Sequence, residues 1–239
     1  MPAATLSTTR SSSPDKVANH VLQGIKSGRF VPGQRLIEAD LSETLYTSRG
    51  PIREAFKRLA AEGVLTLVPH RGAYVRTLTR REVTDVLVIQ ETLTALAARL
   101  ATENIHVGDN REQFQHVVSQ VSAEVAHHDL HELLDRRAEF YATLVFISGN
   151  EELGRFVPIP QTNLLRTQFV RHLTIAERKR EQREYELVAK YVLSGAPQQA
   201  ENAMRRHIRN SRQSIERLPD DAFAIPLENN ENSTLDTKQ

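Results

Sequence analysis

Residues 47–59, TSRGPIREAFKRL, place Arg49 and Arg53 one helical turn apart, with Gly50 and Pro51 between them. With Ser48 as the N-cap, Pro51 falls in the first turn of a helix, where a missing N–H is harmless, and Gly50 lets another backbone come close. Arg49 and Arg53, at i and i+4, project from one face, while Ile52, Phe56 and Leu59 cover the opposite, core-facing side. A polar helix start of this kind suits the major groove of DNA, where arginine reads guanine through two hydrogen bonds and a helix N-terminus favours phosphate. The alternative is an ordinary surface on which the two arginines pair with Glu43 or Glu54.

Outward from this stretch, Val17, Val21, Leu22 and Ile25 recur at helical spacing until the breaker SGRFVPGQ. A second short helical pattern runs through Leu36, Leu41 and Leu45, and Ile52 to Leu59 marks the third. Gly63 signals the end of that helix, and LTLVPHRGAYVR then reads as two short strands around a Pro-His-Arg-Gly turn. Three helices and a β-wing are expected over residues 13–78. Residues 1–12, Ser/Thr-rich with little apolar content, are expected to be disordered.

Beyond residue 78 glycine becomes rare and long helical patterns dominate. Breaks near 106–110, 127–130, 148–150, 157–160, 172–174 and 194–197 predict about six helices in an all-α domain over 79–218. Residues 219–239 lose periodicity and read as a partly disordered tail, with two apolar patches that could dock. The fold class is therefore mainly α: a winged helix-turn-helix followed by a helical bundle.

Charge divides the chain in the same place. Residues 1–78 hold 11 Lys+Arg against 6 Asp+Glu, and residues 79–239 hold 20 against 24. Only the first module has the electrostatics for a polyanion. The 239 residues contain no cysteine, which excludes disulfide frameworks, thiolate metal sites and cysteine nucleophiles and suits a reducing compartment. No apolar run of about 18 residues and no secretory signal pattern occur, so a soluble cytoplasmic protein away from membranes is expected. Glycine-rich phosphate loops, Gly-x-Ser-x-Gly elbows and His-Glu-x-x-His pairs are missing, and no catalytic residues can be named. His127, His128 and His131 include an i, i+4 pair, but at a helix junction they read as solvated surface. The charge run from Arg178 to Glu184 reads as an exposed helix face.

The order PGQRLIEADLSETLYTSRGPIREAFKRLAAEGVLTLVPHRGAYV closely resembles the winged helix-turn-helix of the GntR family of bacterial transcription regulators. The resemblance implies that Arg49 and Arg53 contact DNA, that Ser48 and Gly50 flank phosphates or bases, and that Arg71 and Gly72 set the wing against the minor groove. Arg35 is a further phosphate candidate. The family usually has glycine where this chain has Tyr46. A left-handed residue kept there costs tyrosine about 1 kcal/mol or more, and a remodelled turn is the alternative.

ALAARLA, EFYATLVFISGNEEL and SGAPQQAENAMRRHI make the second half resemble the effector-binding FCD domain of the FadR subgroup. In the common form of that domain an Asp-x-x-x-His pair and two later histidines hold a divalent metal. Aligned here, the four positions are Arg137, Tyr141, Tyr185 and His207, a set unsuited to zinc or a similar ion. No metal and no cofactor are expected. A guanidinium near the cation's place could grip an anionic effector directly, with the tyrosines adding hydroxyls and ring faces that would suit an aromatic acid. In the alternative, Arg137 pairs with a neighbouring glutamate and the tyrosines fill the core. A family arginine on the first long helix is replaced by Gln90, and Arg166 follows the Pro158/Pro160 break at the pocket mouth. The expected protein is an effector-responsive regulator, most simply a repressor, that binds a pseudo-palindromic DNA operator as a homodimer and answers to a small organic anion. The rival classes are a constitutive architectural DNA binder and a metal-dependent helical enzyme with a DNA module.

Overall fold

The structure, a computed structural model, describes residues 12–122 and 130–224. The stretch 1–11, the tail from 225, and His127 and His128 lie outside the described residues, as does the side chain of His131.

The first module opens with α1 (Ser13–Lys26), started by a capping box in which Ser12 and Asp15 satisfy each other's backbone N–H. Next come β1 (Arg35–Leu36), α2 (Glu38–Leu45) and α3 (Arg49–Ala61), then the hairpin β2 (Leu65–Val68) and β3 (Gly72–Val75). The sheet order is β1-β3-β2, all antiparallel, with Arg35 opposite Tyr74 and Leu36 opposite Ala73. Leu36 therefore belongs to a third strand and not to the second helix, because it buries its side chain by pairing with the wing. Val17, Val21, Ile25, Ile52, Phe56 and Leu59 form the centre of this module. α3 ends as its sequence predicts: Gly63 takes φ 70° and Val64 N–H returns to the Leu59 carbonyl at 2.8 Å.

The second module consists of α4 (Arg80–Glu103), α5 (Asn110–Ser122), α6 (Leu130–Ile147), α7 (Glu151–Phe156), α8 (Ile159–Phe169), α9 (Ile175–Leu193) and α10 (Pro197–Glu216). Five of the six expected breaks fall between described helices, and the one near 127–130 lies almost wholly outside the described residues. α7, six residues long, is too short to show a period. Thr79–Glu82 and Thr174–Glu177 cap α4 and α9 with the same reciprocal box that starts α1. α4 packs along α10, and α9, α6 and α8 close the bundle around it.

The two modules share one continuous core, with α8 between them. From α8, Thr167 donates to the Ile25 carbonyl of α1 at 2.9 Å and Gln161 donates to the Glu62 carbonyl, at the end of α3, at 2.5 Å. Gln168 accepts from Leu78 N–H at 2.9 Å and donates to the carbonyls of Leu78 and Ala222. The first apolar patch of the tail docks here: Phe223 packs on Phe169, and the Arg80 guanidinium lies 4.1 Å above its ring. The second patch lies outside the described residues.

Candidate functional site

The face made by the start of α3 and the wing is open. Ser48 is the N-cap of α3 with extended backbone, yet its side chain makes no cap hydrogen bond, so its hydroxyl is free to face a partner. A Cβ at Gly50 would meet nothing within 4 Å, so no contact inside the protein demands glycine there. Arg49 is exposed and forms no ion pair with a described residue. Arg53 pairs with Glu38 of α2, and not with Glu43 or Glu54, through its Nε at 3.0 Å. Arg71 and Gly72 lie exposed at the hairpin turn, where His70 and Gly72 take φ 60° and 94°. Arg35 lies against Gly72, its Nε 3.8 Å from where a Cβ would be, and so belongs to the wing side of the face. Between α3 and the wing runs a cleft of about 500 Å³ bordered by Glu38, Arg53, Lys57 and His70.

The turn before α3 keeps the left-handed residue that tyrosine tolerates poorly. Tyr46 has φ 49° and ψ 46°, and its side chain is 96% exposed. No packing gain offsets the strain inside the protein.

In the helical domain the four positions inferred from the FCD resemblance converge. Tyr141 O–H lies 2.7 Å from His207 Nε2, and the Tyr185 ring is centred 4.6 Å from the imidazole. On its other side His207 Nδ1 meets Glu184 at 2.8 Å, and Asn210 donates to the second Glu184 oxygen at 2.6 Å. With Nδ1–H donating to the carboxylate, Nε2 accepts from the phenol. Burial pushes the Tyr141 hydroxyl well above the ordinary phenol range and raises Tyr185 as well, so both remain donors. Burial opposes charge on Glu184, but the hydrogen bond from His207 and the charges around it hold its pKa below the usual carboxylate value.

Arg137 is buried and forms an ion pair with Glu181, itself buried on α9. Burial works against its charge, but the Glu181 carboxylate together with the Tyr185 and Tyr141 hydroxyls more than offsets it, so the pKa of the guanidinium is raised. The residues do not fit a divalent metal: both ring nitrogens of His207 are engaged, two of the positions are neutral phenols, and a guanidinium stands in the fourth. The run from Arg178 to Glu184 is thus not a wholly solvated face. Glu181 was hidden among exposed charges, and its spacing of four from Tyr185 is the one sequence signal that put it on the pocket side.

Arg166, on α8, completes the site. Its guanidinium lies 4.3 Å above the Tyr141 ring and forms no ion pair with a described residue. It lines, with Arg137, Tyr141, Tyr185, His207 and Gln90, a cavity of about 50 Å³. Gln90 is buried, and its Oε1 has no hydrogen-bond partner among the described residues.

Residues 14–75 match the family described as bacterial regulatory proteins, gntR family, and residues 85–210 match the FCD domain. A probable D-xylose utilization operon transcriptional repressor of Paenarthrobacter nicotinovorans is 34% identical over 106 residues, 44% of this chain and 47% of that protein. The Nta operon transcriptional regulator of Aminobacter aminovorans is 34% identical over 132 residues, 55% of this chain and 61% of its own. The matches thus span less than two thirds of either curated relative. A solved structure described as E. coli McbR/YncC has the same fold, with a TM-score of 0.73 at 21% identity over 86% of this chain and 97% of that one. The matched families and relatives are regulators of transcription and not enzymes. Among the described residues no helix is long and apolar enough to cross a membrane. A helix-and-wing module open to DNA, carried on an all-α domain with a charged internal pocket, agrees with both matches: the chain belongs to the GntR family of bacterial transcription regulators, in the branch that carries an FCD domain.

Proposed function

We propose that the protein is an effector-controlled repressor that binds a pseudo-palindromic operator as a homodimer in the cytoplasm and is released by a small carboxylate. Arg49 and Arg53 read bases in the major groove, Ser48 and Gly50 meet the backbone beside them, and Arg71, Gly72 and Arg35 carry the wing contacts. One recognition helix reads too few base pairs for useful specificity, which calls for a second copy. Ile89, Leu93, Leu96 and Leu100 of α4 follow a spacing of i, i+4, i+7, i+11; Leu93, Leu96 and Leu100 are half-buried against Ala97, Val145, Leu153 and Val157, while Ile89 is 52% exposed and Phe156, on the neighbouring α7, is 69% exposed. A stripe of this kind suits a helix of the second copy.

The observation that carries the effector reading is Arg166, a cation without a carboxylate partner among the described residues, in a pocket where Arg137 and His207 already have theirs. The anion-holding role therefore passes from Arg137 to Arg166, while Arg137, Tyr141, Tyr185, His207 and Gln90 shape the walls. One water needs roughly 10–15 Å³, so a cavity of about 50 Å³ suits a short-chain acid better than an aromatic one.

The test begins with selection of bound duplexes from a randomised library, followed by titration of the selected DNA with a panel of short carboxylates. Wild-type protein is expected to select an inverted repeat and to release it with at least one acid. Arg166→Ala should hold the same DNA and no longer respond. Arg49→Ala and Arg53→Ala should each lose roughly 1–3 kcal/mol of discrimination with an unchanged melting curve. Unchanged selection in both of these variants would overturn the DNA assignment, and an Arg166→Ala protein that still released DNA would overturn the pocket assignment.

A further inference from the structure

Glu38 sits in the first turn of α2, where its negative charge is favoured by the helix N-terminus. From there it reaches across the helix-turn-helix to Arg53 on α3. Both carboxylate oxygens face a single guanidinium nitrogen: Nε lies 3.0 Å from Oε1 and 3.1 Å from Oε2. Nη1 and Nη2 of Arg53 have no hydrogen-bond partner among the described residues. The guanidinium is thus held by its inner edge, at the rim of the cleft between α3 and the wing, with its outer fork open.

An arginine reads guanine bidentately either side-on, through Nε and one Nη, or end-on, through both Nη groups. With Nε occupied, only the end-on fork is left. The carboxylate also offsets the charge of Arg53, which weakens its pull on any phosphate regardless of sequence. Fixing the side chain before binding removes part of the ordering cost that a free arginine bears at the interface.

We infer that Glu38 is a positioning residue for DNA recognition, which holds Arg53 by Nε so that its two Nη groups read one base pair of each half-site end-on. This inference rests on the assignment of Arg53 as a base reader, and the experiment separates the two. Full-length wild type, Glu38→Ala, Glu38→Gln, Arg53→Ala and the Glu38→Ala/Arg53→Ala double variant each select from a randomised duplex library. Their affinity for the wild-type selected duplex and for a scrambled duplex is then measured across a salt series, beside a melting curve.

In Glu38→Ala the preference for one base pair per half-site should fall about tenfold or more, at the same position that Arg53→Ala degrades. Affinity for the scrambled duplex should rise, with a salt slope steeper by about one ion per protomer as the freed arginine turns to phosphate. Glu38→Gln, which still accepts from Nε, should fall between wild type and Glu38→Ala. The double variant should match Arg53→Ala alone. An unchanged motif in Glu38→Ala would overturn the inference. So would equal loss at every position with a lowered melting temperature, which would mark Glu38 as a scaffold residue only. Should Arg53→Ala itself leave the motif intact, the base-reading assignment falls, and with it this inference.

Discussion

Tyr46 shows the cost of one side chain in the wrong conformational region. Its backbone is left-handed and its ring is in solvent, so nothing inside the protein returns the strain. Tyr46→Gly should raise stability by about 1 kcal/mol, read as a higher denaturant midpoint at unchanged slope, with the helix-turn-helix intact. The sequence exposed the conflict because the turn is a fixed element of the motif; whether the turn would bend or the residue would yield depended on the packing of α2 against α3. Arg137 presents the reverse case. Its position was legible from the flanking FCD motifs, but its partner was not, because Glu181 lies 44 positions away in a run of charges that looks solvated. Arg137→Ala should cost about 3–5 kcal/mol by leaving Glu181 buried and uncompensated, whereas Arg137→Met with Glu181→Leu should cost far less. Chemical denaturation of both variants checks this; equal losses would deny the pair its role in joining α6 to α9.

At the scale of elements, α8 faces both ways. Arg166 and Leu165 line the pocket, while Gln161, Thr167 and Gln168 bind the backbone of the DNA module and its linker. A shift of α8 on binding an anion at Arg166 would therefore act directly on the end of α3. Each such hydrogen bond contributes about 1 kcal/mol, so Gln161→Ala should leave operator and effector affinities nearly intact and shrink the effector-induced loss of DNA affinity about fivefold. Operator titrations with and without saturating effector give the result, and an unchanged ratio would place the coupling elsewhere. The capping boxes at Ser12, Thr79 and Thr174 start α1, α4 and α9 through a Ser/Thr-x-x-Asp/Glu spacing that the apolar periodicity does not register. The two-residue β1 was not legible either, because a strand that short carries no period and exists only by pairing with β3.

For the whole molecule, the stripe on α4 makes assembly testable. Ile89→Glu with Phe156→Glu alters only exposed side chains, so the protein should fold normally yet run as a monomer in sedimentation. Its affinity for a two-half-site operator should drop by roughly 10²–10⁴ as avidity is lost. A variant that remained dimeric would move the interface off this stripe.

By itself the sequence determined the elements whose signals are local: the polar start of α3 with its arginines, the Gly63 stop, and the break between a basic helix-turn-helix module and an all-α one. Periodicity and capping act over a few residues, so they survive being read along a line. Only the tertiary structure decided which charges are spent and which are left over. Arg53 meets Glu38 and Arg137 meets Glu181, while Arg166 lies over the Tyr141 ring with no carboxylate partner among the described residues. An ion pair is a distance in space between residues that lie on different helices, and the low dielectric that makes it matter exists only once those helices have packed.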